Sequence, residues 1–441
     1  MSKRFQLTPE QLALSQERKA KKQKLAHTET PPTVDPKLIL PRPWIHLHSS
    51  EPPKAQHQPS PDRLRVLTWN ILAQTLVRRE LFPTSDCLKA SQRQPMLHAE
   101  ILAQDAEIIC LQEVDTLEKL LPALEPCYTT HYAAGPGKKH GCLIAFKKDR
   151  YDKHVEKLVH YDDEVVRDGE TEQARRGSSF KTRNIASLLA VKHKSKPGQG
   201  VVVGTSHLFW HPRYTYERAR QAGIFLREIT KFQSEHDLED WPCVVAGDFN
   251  FSPDDPAYSL LVGDPLSVEQ RERLETSRVV HASIDPNVQS AAAPLVKEDE
   301  DQAVDPDRVI TNARRAKPSD GLLTDDELVA LFSTSKTFRS AYDEGLRQHR
   351  LSSSSIPTFG DRTKLDASKK GFYEPEYTSY TVFWKTVLDY IFFLPGRLPT
   401  VVTGILAPHK VEDLGAGLPL KTICGSDHVS LSADLDEGQP R

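Results

Sequence analysis

Polar residues interrupt apolar runs at a few places in this chain, and those places set the chemistry it could do. Asn70 closes RLRVLTWN, Glu113 closes EIICLQE, His207 closes VVVGTSH, and Asp248 with Asn250 closes CVVAGDFN. Asp389 instead opens LDYIFFL, and Asp427 with His428 opens DHVSLSADL. Strands running opposite to the first set would deliver these last residues to the same rim, because antiparallel neighbours place one strand's entry beside another's exit. A lone Asp or Asn beside a strand is ordinarily a turn former or a helix cap. Repulsion among Glu113, Asp248, Asp389 and Asp427 at one mouth is another matter, since it is costly unless a cation neutralises it. Hard oxygen donors without a cysteine or histidine cage select magnesium or manganese over zinc. A divalent metal is therefore implied.

The elements that must position these residues are legible as short apolar runs with strand character. They are Leu64–Trp69, Ile108–Leu111, Cys142–Phe146, Ile185–Val191, Val201–Thr205, Cys243–Ala246, Leu388–Leu394 and Val429–Leu435. Helical spacing falls between some of them, at Leu117, Leu120, Leu121 and Leu124, and at Ala219, Ala222, Gly223, Leu226 and Ile229. Thr324 with Glu327 three residues on predicts an N-capped helix over Thr324–Phe332. Near-continuous apolar strands with only occasional helices point to two packed sheets flanked by helices, an α/β (α+β) architecture that is not a wholly parallel doubly wound sheet. Stretches near 161–179, 263–319 and 351–371 are polar and are expected as surface insertions.

Composition narrows the setting. Lys plus Arg number 58 against 61 Asp plus Glu in 441 residues, so a polyanion must be met locally and not by bulk charge. The six cysteines form no C-x-x-C pair and read as reduced, buried thiols of an intracellular protein, in cytoplasm or in nucleus and nucleolus. No apolar stretch is long enough to cross a bilayer. Residues 1–61 read as a mobile basic and Pro-rich arm with a short helix near Pro9 to Leu25, leaving 62–437 as the catalytic domain. The run Arg18-Lys19-Ala20-Lys21-Lys22-Gln23-Lys24 has the composition of a nuclear address, although a solvated helix face explains it as well.

Six motifs in order, Trp69-Asn70, Leu111–Val114 (LQEV), Ser206–Leu208 (SHL), Gly247–Asn250 (GDFN), Leu388–Phe392 (LDYIF) and Ser426–His428 (SDH), resemble the endonuclease/exonuclease/phosphatase superfamily. The resemblance runs from about Arg63 to Leu435 and is greatest to the deadenylase and nocturnin-related branch. The stretch His207–Gln221, HLFWHPRYTYERARQ, is similar to the fungal Ngl-type RNA exonucleases of that branch. It implies a DNase I-like four-layer αββα sandwich. It also implies a magnesium-dependent 3′-to-5′ exoribonuclease that releases nucleoside 5′-monophosphates from poly(A) or from structural RNA ends. In that scheme Glu113 is the principal metal ligand, with Asn70 and Asp427 completing or supporting the ion's water shell. Asp248 and Asn250 orient water and phosphate, His428 held by Asp389 binds the phosphate and assists proton transfer, and His207 and Asn184 donate to non-bridging oxygens.

Substrate choice falls to other residues. Pro212 lies five after His207 and Trp384 five before Asp389, positions that sandwich a base in the poly(A)-cleaving members, with Trp here where those carry Phe. Phe251 after Asn250 is a second departure, because many relatives have a small polar residue there. No leucine-rich docking repeats precede Arg63, so a free-standing monomer acting on single-stranded RNA 3′ ends is expected, with no membrane partner. A phosphatase acting on a small phosphorylated molecule uses the same site chemistry. A silent RNA-binding scaffold would be expected to have lost an acidic motif, and none is lost.

Overall fold

The computed structural model describes residues 37–47, 63–281, 313–334, 336–353 and 356–437. In chain order its strands are β1 (Trp44–His46), β2 (Leu64–Asn70), β3 (Ile108–Val114), β4 (Tyr128–Ala133), β5 (Gly141–Lys147), β6 (Tyr151–His160), β7 (Ile185–His193), β8 (Gly200–Ser206) and β9 (Cys243–Asp248). There follow β10 (Val279–His281), β11 (Ala313–Arg315), β12 (Arg339–Ser340), β13 (Ser379–Tyr380), β14 (Lys385–Thr386), β15 (Asp389–Leu394), β16 (Thr400–Leu406) and β17 (Leu431–Glu437). One sheet has the order β1-β16-β17-β2-β3-β5-β4 and the other β12-β15-β9-β8-β7-β6. The pairs β10/β11 and β13/β14 form separate two-stranded sheets.

Alternation along each strand explains why both faces are apolar. On β2, Val66 packs between the sheets while Leu67 and Trp69 face the helices Ala90–Ala103 and Leu117–Leu124. On β9, Val244 and Ala246 meet the first sheet, while Cys243 and Val245 pack beneath the helix Thr215–Glu235. Each such aliphatic side chain contributes about 1.5–3 kcal/mol on burial. The result is the helix, sheet, sheet, helix layering expected from the sequence.

Topology then delivers the polar strand ends to one rim. β2 and β3 are parallel and bracket Ala90–Ala103; β8 and β9 are parallel and bracket Thr215–Glu235. Each pair is flanked on both sides by antiparallel strands, β17 and β5 in one sheet and β15 and β7 in the other, and β17 and β15 lead in from Asp427 and Asp389. The exits of four strands therefore meet the entries of two, and Asp389 sits directly opposite Asp248 in the ladder.

Several expectations change. The expected mobile arm does not extend over Trp44–His46, which pair with Leu406, Ile405 and Gly404 as an edge strand, and the Arg65 guanidinium lies 3.7 Å above the Trp44 ring. The helix near Pro9 to Leu25 and its basic run lie outside the described residues, as does the acidic Lys297–Asp301 segment. The three insertions are not simply surface loops. Tyr161 is fully buried and its hydroxyl meets Ser206 Oγ at 2.9 Å, while short helices occupy Glu172–Arg176, Val268–Ser277 and Phe359–Arg362. A polar sequence can still dock by its few apolar side chains, as Leu274 and Phe359 do. The capping box of Thr324 and Glu327 forms as read, starting a helix over Asp325–Ala330. Five of the six cysteines are buried, and Cys127 is exposed. No described helix is long and apolar enough to cross a membrane.

A buried acid behind the second sheet gives a stability test. Glu374 is fully enclosed, with Asp343 nearby and Tyr258 donating its hydroxyl to Oε1 at 2.8 Å. Burial, reinforced by Asp343, pushes its carboxyl up to about 8. The folded chain thus holds a proton that an unfolded glutamate, near ~4.3, would release. The stabilisation is full below that lower value and is lost as pH rises towards about 8. Glu374→Gln should flatten this decline, gaining on the order of a few kcal/mol relative to the parent near pH 8 in denaturant titrations. Parallel pH profiles for the two proteins would refute it.

Candidate active site

The rim is built from backbone irregularities as much as from side chains. The β3/β5 ladder slips between Leu111 and Val114, and Glu113 in this bulge adopts φ +58°, which swings its carboxylate out of the ladder. Asn250 is also left-handed, at φ +53°, and its N–H donates to Asp248 Oδ1 at 3.0 Å. Gly247 is required before Asp248: a Cβ there would fall 2.3 Å from Ser206 O, where β8 and β9 converge.

Asn70 ties the carboxylates together. Its Nδ2 donates to Glu113 Oε1 at 3.1 Å and to Asp248 Oδ2 at 2.9 Å, while its Oδ1 accepts Leu72 N–H at 3.0 Å. The Leu72 donor fixes the amide's orientation, since a flipped amide would set nitrogen against N–H. The amide nitrogen thus spaces two acids, while its oxygen accepts a backbone N–H beside the expected ion site.

Glu113 Oε2 accepts the Ala73 N–H at 2.9 Å. Burial raises its carboxyl, but His207, His140, Ala73 N–H and the Asn70 amide together outweigh burial and hold it below the ordinary value. Asp427 goes the other way, pushed up first by burial and also by Glu113, against the pull of His428. Two acids that repel across a buried rim, with free lone pairs facing a cavity, fit a hard divalent cation. Glu113 and Asp427 would hold it.

Asp389 and His428 form the predicted dyad. His428 Nδ1 meets Asp389 Oδ2 at 2.8 Å, and Thr378 Oγ1 donates to the same oxygen at 2.6 Å. His428 Nε2 lies 3.8 Å and His207 Nε2 3.6 Å from Asp248 Oδ2. Burial works against the His428 charge, but Asp389, Asp248 and Asp427 outweigh it and raise the imidazole well above its usual range. Burial lifts Asp389 to about 6, with His428 drawing it down and Asp248 pushing it up. At neutral pH the shared proton belongs to His428. Asp248, Asp389 and His428 also place ligand atoms within 4.8 Å of one another. The short Nδ1 contact there is that of a hydrogen-bonded dyad.

A cavity of about 880 Å³ opens over the rim, and its wall includes Glu113, Asn184, His207, Asp248, Asn250, Asp427 and His428. Pro212 and Trp384 line it too, so the expected base-sandwiching pair is brought to the same space as the acids. Arg218, buried behind this loop, donates to the carbonyls of His211 and Pro212, the latter at 3.1 Å, and holds Pro212 in place. Asn184 is partly committed elsewhere: one N–H goes to His207 O at 2.6 Å and its carbonyl accepts Lys138 Nζ at 3.2 Å, leaving one N–H for a ligand. Phe251 is 2 % exposed, packed on Phe249, Tyr258 and Tyr390, and contributes to the cavity wall beside Asn250.

Sequence reasoning passed over several participants. His140 lines the cavity and opens the run HGCLIAF, the same signature that marked Asp389, so it was findable. Thr378 carried no such signal. Neither did Arg93, whose guanidinium donates to the Ile71 and Leu72 carbonyls at 2.5 Å each and to Gly425 O at 2.7 Å, joining the Asn70 loop to the Asp427 loop.

The Endonuclease/Exonuclease/phosphatase family model matches residues 67–428, and the chain belongs to that family. It is 28 % identical over 394 residues to a Schizosaccharomyces pombe protein named a probable RNA exonuclease, spanning 84 % of this chain and 76 % of that one. It is 31 % identical to the RNA exonuclease NGL2 of Saccharomyces cerevisiae, over 58 % of this chain and 52 % of the relative. Among solved structures, ANGEL2, titled a 2′,3′-cyclic phosphatase, superposes with TM-score 0.60 at 22 % identity, covering 90 % of this chain and 99 % of that one. The human Nocturnin catalytic domain gives 0.51 at 18 % identity, covering 90 % and 98 %. These two likenesses establish the αββα fold.

Removing the spacer amide should weaken ion binding without removing a ligand. Asn70→Ala is expected to lower Mn²⁺ affinity about 10–100-fold, the usual cost of losing a group that orients metal ligands, as read by calorimetry or electron paramagnetic resonance. Unchanged affinity would show that the carboxylates need no such spacing.

Proposed function

We propose that this chain is a magnesium-dependent exoribonuclease that removes nucleotides from the 3′ end of single-stranded RNA and releases nucleoside 5′-monophosphates. One observation carries the reading: Pro212 and Trp384, suited to hold a base, line the same cavity as the Asp389–His428 dyad and the Glu113 rim. The relatives named as RNA exonucleases support it.

A divalent ion at Glu113 and Asp427 supplies Lewis-acid stabilisation of the phosphate when bound. Asp248, its carboxylate pinned by Asn250 N–H and the Asn70 amide, accepts a proton from the attacking water. The water oxygen bonds to phosphorus as the bond to the O3′ of the preceding nucleotide breaks. That O3′ takes up a proton from a solvent water, and the 5′-phosphate stays with the released nucleotide. His428, charged and oriented by Asp389, donates from Nε2 to a non-bridging oxygen as negative charge builds there, and His207 and the remaining Asn184 N–H add to this.

The test is a digest of 5′-labelled single-stranded RNA beside matched DNA, with magnesium or with EDTA. RNA should shorten stepwise from its 3′ end with nucleoside 5′-monophosphates as product, and neither EDTA nor Glu113→Ala samples should shorten. Intact RNA in the parent lane overturns the proposal, and phosphate release from a small phosphorylated molecule without shortening makes the protein a phosphatase. Asp389→Asn should retain the fold and lower kcat about 10²–10³-fold, the range for losing a donor to developing oxyanion charge. An unaltered kcat would remove the dyad from the mechanism.

A further inference from the structure

Among the described residues the exposed large apolar side chains are Leu158, Val165, Trp210, Val268, Leu351, Val382, Phe383 and Trp384. The three aromatic rings of this set fall at one place. Trp210, 43 % exposed, and Trp384, 37 % exposed, line the active-site cavity, and Phe383, 62 % exposed, neighbours Trp384 with ring centroids 6.4 Å apart and planes 29° from parallel. Aromatic rings left in water are unfavourable in the free protein, and their concentration at a cavity mouth points to a ligand that covers them.

The tip that carries two of these rings is rigid. The β13/β14 hairpin turns through residues 381–384, where Thr381 Oγ1 accepts the N–H groups of Phe383 at 3.2 Å and Trp384 at 3.0 Å. Thr381 N–H donates to Trp384 O at 2.8 Å, and the Trp384 indole donates to Ser379 Oγ at 3.1 Å. Ser379 is bridged to His428, and Tyr380 N–H donates to Asp427 O at 3.0 Å, so the tip is held in fixed relation to the catalytic rim. Trp210 comes from the other wall, two residues before Pro212. Cations share the mouth: Arg183 and Arg273 line the cavity, and Arg213 is exposed beside Pro212. Flat apolar faces with cations between them fit a chain of bases on a phosphate backbone.

We infer that Trp210 and Phe383 form a further stacking platform that takes the bases on the 5′ side of the nucleotide held between Pro212 and Trp384. The inference rests on the polynucleotide reading above. The platform makes the protein sense the length of a single strand and not its sequence, since every base offers a π face. Paired bases cannot splay onto it, so a duplex end gains nothing from it.

The experiment uses the full chain carrying Asp248→Asn in magnesium, so that ligand is retained, and measures binding of labelled mixed-sequence RNA of two to six nucleotides by fluorescence anisotropy. Affinity should rise on the order of tenfold as length passes from two to four nucleotides. Trp210→Ala and Phe383→Ala should each flatten that rise, and Phe383→Trp should restore it; thermal melts confirm folding. A rise that persists in both alanine variants overturns the platform alone. Failure of the starting protein to bind any oligonucleotide overturns the polynucleotide reading beneath it.

Discussion

Mutual repulsion among buried carboxylates is the constraint around which the rest of this structure is arranged. Glu113, Asp248, Asp389 and Asp427 come to one rim where solvent screening is weak, and each needs a compensating partner. The Asn70 amide separates two of them and the His428 proton serves a third. What remains is an excess of negative charge facing the cavity, which is what a divalent cation would balance. The frame must be stiff to keep such groups close, and the two-sheet core with apolar side chains on both faces of each strand provides it.

Much of this was legible because apolar strands that end in charge are unusual. The runs ending at Asn70, His207 and Asp248 and those starting at Asp389 and Asp427 became strands with only small changes at their ends. Of the strands that escaped notice, β10 to β14 are only two or three residues long, and the longer β4, β6 and β16 carry mixed polar and apolar residues, such as YDKHVEKLVH on β6 where one face meets water. An edge strand needs only half an apolar pattern, and β1 needs only three residues.

Roles were harder to read than positions. Asn70 was located correctly, yet the direction of its amide depends on Leu72 N–H, a backbone donor that carries no sequence signature. Thr378 and Arg93 act through carbonyls and carboxylates that only the folded chain brings near. The bulge at Glu113 is a slip of one ladder against another, and a sequence of apolar residues does not announce where such a slip falls.

The pairing of β2 with β17 has a consequence for the birth of the protein. Asn70 belongs to a strand whose antiparallel neighbour begins at Leu431, and Arg93 and Ser426 fasten the two ends of that join. Contacts this far apart along the chain form late and slowly. While a ribosome is still adding the segment around residue 428, Glu113 and Asp248 have been made but face no Asp427 or His428. The nascent polypeptide therefore carries an incomplete rim until that segment emerges, and the order of synthesis itself delays its completion.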